Sequence, residues 1–246
     1  MKTLSFNTLC FILACALTFT VGGLAGTATA QFENDVKFLI IVDDSGTIQN
    51  EKTFEGIKSR LWSKLQDLRM ILEYQNAEIE VIVSSSGESV WSGTVKDLRN
   101  TLWRKGRAKA LIADTQSVSN RCNDLSAAFA TLNRSIKLMD GRIFRTVHIY
   151  VVSNLYHTGK NCSSFTKILY PNSPPEGLNV EQIVTQRPQI KTVSFFGVHA
   201  EQSDIWLSEQ LEGLLAWKDA EEGRNFGFYT EAQSLQALEH LEGVPR

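Results

Sequence analysis

Three oxygen-bearing side chains lie at alternate positions in Asp43-x-Ser45-x-Thr47, and in an extended segment alternate side chains point the same way. One carboxylate and two hydroxyls gathered like this are hard donors of the kind that hold Mg²⁺ or Mn²⁺, ions that keep several waters and take few protein carboxylates. Asp44 points elsewhere in this reading. A plainer role also suits the two hydroxyls, since Ser45 and Thr47 could simply cap a strand-to-helix turn.

Other chemistries share these letters. Asp44-Ser45-Gly46-Thr47 resembles the Asp-Ser/Thr-Gly turn of aspartic proteases, whose reaction needs two carboxylates sharing a proton; the chain contains no second such turn. A homodimeric enzyme with one turn per chain would be built of strands, whereas here a long helical pattern comes at once. A haloacid dehalogenase needs Asp-x-Asp, and position 45 is Ser. A subtilisin-like protease needs His and Ser partners in Gly-rich motifs that this chain lacks. A hydrolase using Asp44 remains the alternative from a different class.

The elements that must position these residues are legible on both sides. Phe38-Leu39-Ile40-Ile41-Val42 has the apolar, β-branched run of a strand buried on both faces. Phe54, Ile57, Leu61, Leu65, Leu68 and Leu72 then recur at helical spacing. Further strands are expected at Glu78–Ser84, Ser89–Ser92, Arg145–Asn154, Ile190–Val198 and Asn225–Tyr229. Helices are expected at Val95–Arg104, from Asn123 or Asp124 to about Met139, and at Val180–Thr185, Asp204–Lys218 and Glu231–Leu241, the last opened by the capping box Thr230-x-x-Gln233. Strands alternating with helices predict an α/β domain with a mostly parallel sheet covered on both faces.

The N-terminus reads as an export signal. Lys2, the apolar stretch Leu4 to Leu24, and Ala28-Thr29-Ala30 form a basic region, a hydrophobic region and an A-x-A cleavage site, so residues 1–30 are expected to be removed after Ala30, with an uncleaved membrane anchor as the alternative. A lipoprotein cut before Cys15 fits less well, because apolar sequence continues past it. Losing Lys2 leaves 24 basic against 27 acidic residues, a net of −3. That balance does not suggest nucleic acid as a partner. The remaining 216 residues, 31–246, suit one domain with a substantial core. Only Cys122 and Cys162 remain beyond the signal, and two cysteines in an exported chain suggest one disulfide. Asn133-Arg134-Ser135 and Asn161-Cys162-Ser163 are glycosylation sequons, relevant only in a eukaryotic secretory pathway. The basic cluster Arg104, Lys105, Arg107 and Lys109 beside Trp103 reads as positive charge at a helix C-terminus.

Taken together, the stretch from about Val36 to Leu241 resembles a von Willebrand factor type A (vWA) domain. The resemblance implies a doubly wound, mostly parallel six-stranded sheet with helices on both faces and a ligand site at the carboxyl ends of the strands. In that family a metal-ion-dependent adhesion site combines an Asp-x-Ser-x-Ser/Thr loop, a Thr opening a later helix and an Asp ending the fourth strand. Asp43, Ser45 and Thr47 match the first element. The family's Thr-Asp/Asn-Leu-x-x-Ala run aligns with Asn123-Asp124-Leu125-Ser126-Ala127-Ala128, and its Thr-Asp-Gly with Ser153-Asn154-Leu155, so Asn123 and Asn154 replace Thr and Asp.

The family likeness implies recognition rather than turnover: a protein partner's acidic side chain completes the coordination of Mg²⁺ or Mn²⁺. With Asp43 the one assured anion, weak cation binding or none is expected, unless Asp44 or Asp124 turns inward. The fold would bring Cys122 and Cys162 to the same edge, which implies a disulfide tying the two site loops. His157 and His199 come after strands that end near the site. From Tyr156 to about Gly177 no regular element is expected, and Phe165, Leu169 and Tyr170 on this long loop are candidate partner contacts in a metal-free scaffold of the same fold.

Overall fold

Strand β1, Val36–Val42, sits where its composition predicts, and six of its seven residues are buried. The structure, a computed structural model, describes residues 36–45, 48, 50–99, 122–136, 146–158 and 178–241, all within one compact unit, Asn34–Arg246. Thr47, Cys162, Phe165, Leu169 and Tyr170, together with the expected signal peptide, lie outside the described residues.

Among the described residues the strands form a six-stranded sheet in the order β3-β2-β1-β4-β5-β6. The others are β2 (Glu78–Val83), β3 (Ser89–Thr94), β4 (Thr146–Val152), β5 (Ile190–Val198) and β6 (Asn225–Thr230). Only the β2–β3 pair is antiparallel; β1 runs parallel to β2 and β4, and β5 parallel to β4 and β6. The helices are α1 (Glu51–Asp67), α2 (Leu125–Ile136), α3 (Val180–Thr185), α4 (Ala200–Asp219) and α5 (Glu231–Ala237). No helix among the described residues is long and apolar enough to cross a membrane.

Side-chain alternation along β1 divides the core in two. Phe38, Ile40 and Val42 belong to one cluster with Phe54, Ile57, Leu61 and Leu65 of α1, whereas Leu39 and Ile41 belong to another with Leu125, Phe129 and Leu132 of α2 and Trp206 and Leu214 of α4. Full burial of such side chains stabilises by roughly 1.5–3 kcal/mol each, so these two clusters fix which face of β1 meets which helix.

One expected helix differs in type and two expected boundaries shift, each for a local reason. The described part of the Val95–Arg104 helix is instead a 3₁₀ segment, Val95–Arg99. There the N–H groups of Val95 and Lys96 donate to Ala77 O and Gln75 O, and Asp97 accepts from Thr94 N and Oγ1, so the first turn is tied to neighbouring loops. Helix α4 starts at Ala200, four residues before Asp204, because the His199 ring accepts from Glu201 N and caps it. The last helix gives way to a 3₁₀ turn at Leu238–His240; its expected opening is present, Thr230 N donating to Gln233 Oε1 at 3.2 Å.

Candidate functional site

The register of the sheet determines what surrounds Asp43. Val42 pairs with Val83 on one side and Val152 on the other, so three strands end level and the next residues, Ser84, Asp43 and Ser153, stand abreast. Main-chain bonds continue this row: Asp43 N donates to Val152 O at 2.8 Å, Ser84 N to Val42 O at 3.0 Å, and Ser153 N to Phe196 O at 3.0 Å. By alternation these three residues extend the face of Ile41, Ile82 and Val151, the face that α2 covers.

All three side chains meet. Asp43 Oδ1 accepts from Ser45 N at 2.9 Å, Ser45 Oγ at 2.6 Å and, more distantly, Ser84 Oγ at 3.4 Å. Its Oδ2 accepts from Ser153 Oγ at 2.8 Å and Asn123 Nδ2 at 2.9 Å. Burial pushes the Asp43 carboxyl above its ordinary range, against the pull of the Ser45 and Ser153 hydrogen bonds, and the neighbouring Asp44 adds to the rise. A carboxylate offers about four lone-pair sites, so these donors occupy them all.

Asn123 reaches this point because α2 begins just after it. Asp124 caps the helix, its Oδ1 accepting from Ala127 N at 3.0 Å, while Asp124 N donates to Ser84 O at 2.9 Å and docks the helix start on the end of β2. The turn below comes close: Gly87, at φ +67°, lies where an added Cβ would stand 2.6 Å from the Ala127 backbone, so only glycine suits it. Asn123 N donates to Thr158 Oγ1 at 2.8 Å and Thr158 N returns a bond to Asn123 O at 2.9 Å. Beyond Asp43, the Asn123 amide nitrogen donates to Tyr156 O at 2.5 Å and lies 3.4 Å from Ser153 Oγ. Asn123 Oδ1 is buried with no hydrogen-bond partner. Turning the amide over would set that oxygen against two acceptors, Asp43 Oδ2 and Tyr156 O, so the orientation is dictated by chemistry.

The remaining expected residues divide. Asn154 uses its Oδ1 within its own loop, accepting from Tyr156 N at 3.0 Å. Asp44 turns to the other side, as alternation predicts, and accepts from Ser85 N at 2.9 Å and Ser85 Oγ at 2.7 Å. His157 Nδ1 accepts from Leu125 N at 3.2 Å, adding a second cap to α2, and burial lowers its pKa against the pull of Asp124. His199 Nδ1 lies 2.6 Å from the buried Tyr156 hydroxyl, which also donates to Glu201 Oε2 at 3.4 Å. Cys122 is disulfide-bonded; Cys162 lies outside the described residues. The expected set omitted Ser84, Ser153 and Tyr156. Ser84 and Ser153 could have been found from one signal, a hydroxyl directly after each strand that flanks β1.

Does this donor set suit a divalent cation? A cation beside Asp43 would need that carboxylate to face it with lone pairs to spare, and further anionic or neutral oxygens to surround it. Here the Asp43 oxygens are fully engaged by protein donors, and Asn123 directs its NH₂ group, which cannot ligate, at the carboxylate. Asp44 and Asp124 are committed to Ser85 and to the helix cap. Among the described residues no group of three or more His, Cys, Asp or Glu side chains is gathered as a metal would need. The unpartnered acceptor beside Asp43, Asn123 Oδ1, is one ligand atom and not a coordination sphere. Among the described residues, which do not include Thr47, the arrangement fits a self-satisfied hydrogen-bond network better than a cation site.

The sequence matches no protein-family model and no curated protein at a significant level.

Proposed function

We propose that this chain is a vWA-like protein-interaction domain, of doubly wound architecture, that binds a protein partner with the loops at the carboxyl ends of β1, β2 and β4. Two features support the architecture. The chain runs outward from β1 through β2 to β3 and resumes with β4 on the opposite side of β1, and such a reversal opens a crevice above the strand ends where open α/β sheets take their ligands. Helices pack with both sets of β1 side chains.

The observation that carries the functional reading is the convergence on Asp43 of Ser45, Asn123 and Ser153, from three separate loops, at that crevice. The network suits positioning rather than turnover. The hydroxyls of Ser45, Ser84 and Ser153 and the carboxylate they share are all buried, so none of them faces a substrate. Export from the cytoplasm, with cleavage after Ala30, belongs to the same proposal and is supported by the disulfide at Cys122.

The test is photo-crosslinking from Ser86, which is exposed in the turn after β2, in the exported fraction of the native host. A discrete protein adduct that forms with the wild-type chain and disappears in a folded Asp43→Ala variant supports the reading. Equal crosslinking by both, or cleavage of an added peptide that depends on Asp44, overturns it.

A further inference from the structure

We infer that the Asn123 amide takes the place of a bound cation in this site, so that the loops are assembled on Asp43 without metal. The inference rests on the vWA-like reading, which is what leads one to expect a cation there at all.

A divalent ion in such a position would do two things: neutralise a buried carboxylate and link loops distant in sequence through shared coordination. Asn123 does the second with hydrogen bonds and, carrying no charge, solvates the carboxylate in place of neutralising it. Its NH₂ group has two protons; one meets Asp43 Oδ2 at 2.9 Å, after β1, and the other Tyr156 O at 2.5 Å, after β4. Its backbone N and O are both bonded to Thr158, four residues past Asn154. One fully buried residue thus joins the end of β1, the start of α2 and the segment 153–158, with the adjacent Cys122 further anchored by its disulfide.

The charge balance agrees. The buried Asp43 carboxylate accepts charge-assisted hydrogen bonds from Ser45, Ser153 and Asn123, which offset part of the cost of its burial without a divalent counterion. An aspartate at position 123 would instead set two carboxylates about 3 Å apart in a buried place, which forces either proton uptake or recruitment of a cation. The amide at 123 therefore separates a metal-dependent design from a metal-independent one.

The experiment measures the melting temperature of the purified protein with EDTA, and with millimolar Mg²⁺ or Mn²⁺, for the wild type and for N123D. The wild type should melt at the same temperature in all three, and N123D should melt lower in EDTA and recover by about 5 °C with Mn²⁺. A wild-type melting temperature that falls in EDTA and rises with Mg²⁺ or Mn²⁺ overturns the inference, whatever N123D does. If N123D does not fold, calorimetric titration of Mn²⁺ into the wild type decides: heat that disappears in Asp43→Ala overturns the inference, and no heat upholds it. Crosslinking from Ser86 in the same buffers separates this from the functional reading. An adduct lost in EDTA counts against the metal-independent site, whereas an adduct indifferent to Asp43→Ala counts against the site as a partner surface.

Discussion

Asp43 and Asn123, 80 positions apart in the chain, are joined by a 2.9 Å hydrogen bond from the amide nitrogen to a carboxylate oxygen. That bond spans the gap between the end of β1 and the start of α2. Around it every short-range donor faces an acceptor, so removing either residue strands the other's partners.

Replacing Asp43 with Ala takes away the carboxylate to which the hydroxyls of Ser45 and Ser153 and one proton of the Asn123 amide donate. The loss of a costly buried charge offsets part of this, and a net destabilisation of about 2 kcal/mol is expected in urea unfolding. Ser153→Ala, removing a 2.8 Å bond, should cost more than Ser84→Ala, removing one at 3.4 Å. The reverse order would mean that Ser84, not Ser153, is the stronger hydroxyl donor to Asp43.

Leu155 is buried and holds φ at +65°, a left-handed conformation that a branched side chain adopts only under strain. Leu155→Ala should lose roughly 3 kcal/mol from the emptied core site. At an ordinary core position glycine would be worse than alanine by about 1 kcal/mol; here relief of the backbone offsets the missing methyl, and Leu155→Gly should match Leu155→Ala within about 0.5 kcal/mol. Thermal or urea denaturation of the two variants side by side checks this.

Gly87 combines φ +67° with the Ala127 backbone 2.6 Å from where a Cβ would stand. Gly87→Ala should cost about 2–3 kcal/mol, through backbone strain and through pushing the turn off the first turn of α2. Because Asp124 N docks on Ser84 O beside it, faster amide hydrogen exchange at Asp124 is the local readout. Unchanged exchange at that amide would contradict the proposed coupling.

His148 lies inside the sheet, stacked on Phe38 at 5.1 Å and bonded through Nδ1 to Thr192, with Nε2 unpartnered. Burial lowers its pKa from 6.5 to about 4. The unfolded chain therefore binds the extra proton between about pH 6.5 and 4, and stability should fall as pH drops through that window, by roughly 3 kcal/mol in all. Asp43, raised by burial, works in the opposite direction over its own range. His148→Phe keeps the ring and removes the titration, so urea midpoints measured against pH should decline less steeply in the variant than in the wild type.

The strands β1 and β4, helix α1 and the site residues Asp43 and Ser45 were legible from the chain alone, because each depends on local pattern: an apolar run, a helical spacing, an oxygen-bearing strand end. Helix detail was less legible, since the start of α4 depends on a bond accepted by His199 and the 3₁₀ form of Val95–Arg99 accompanies bonds accepted by Ala77 and Gln75, which periodicity does not contain. The network around Asp43 was only half visible. Ser84 and Ser153 join it because three strands end level, and register is set by pairing across the sheet rather than by any one segment. Asn123 could be named as a substitution in a ligand position, but whether it offers its oxygen or its nitrogen to Asp43 depends on Tyr156 O, which the fold brings to the other side of the amide. Residue types thus determined which groups were available, and tertiary structure decided which way each one faced.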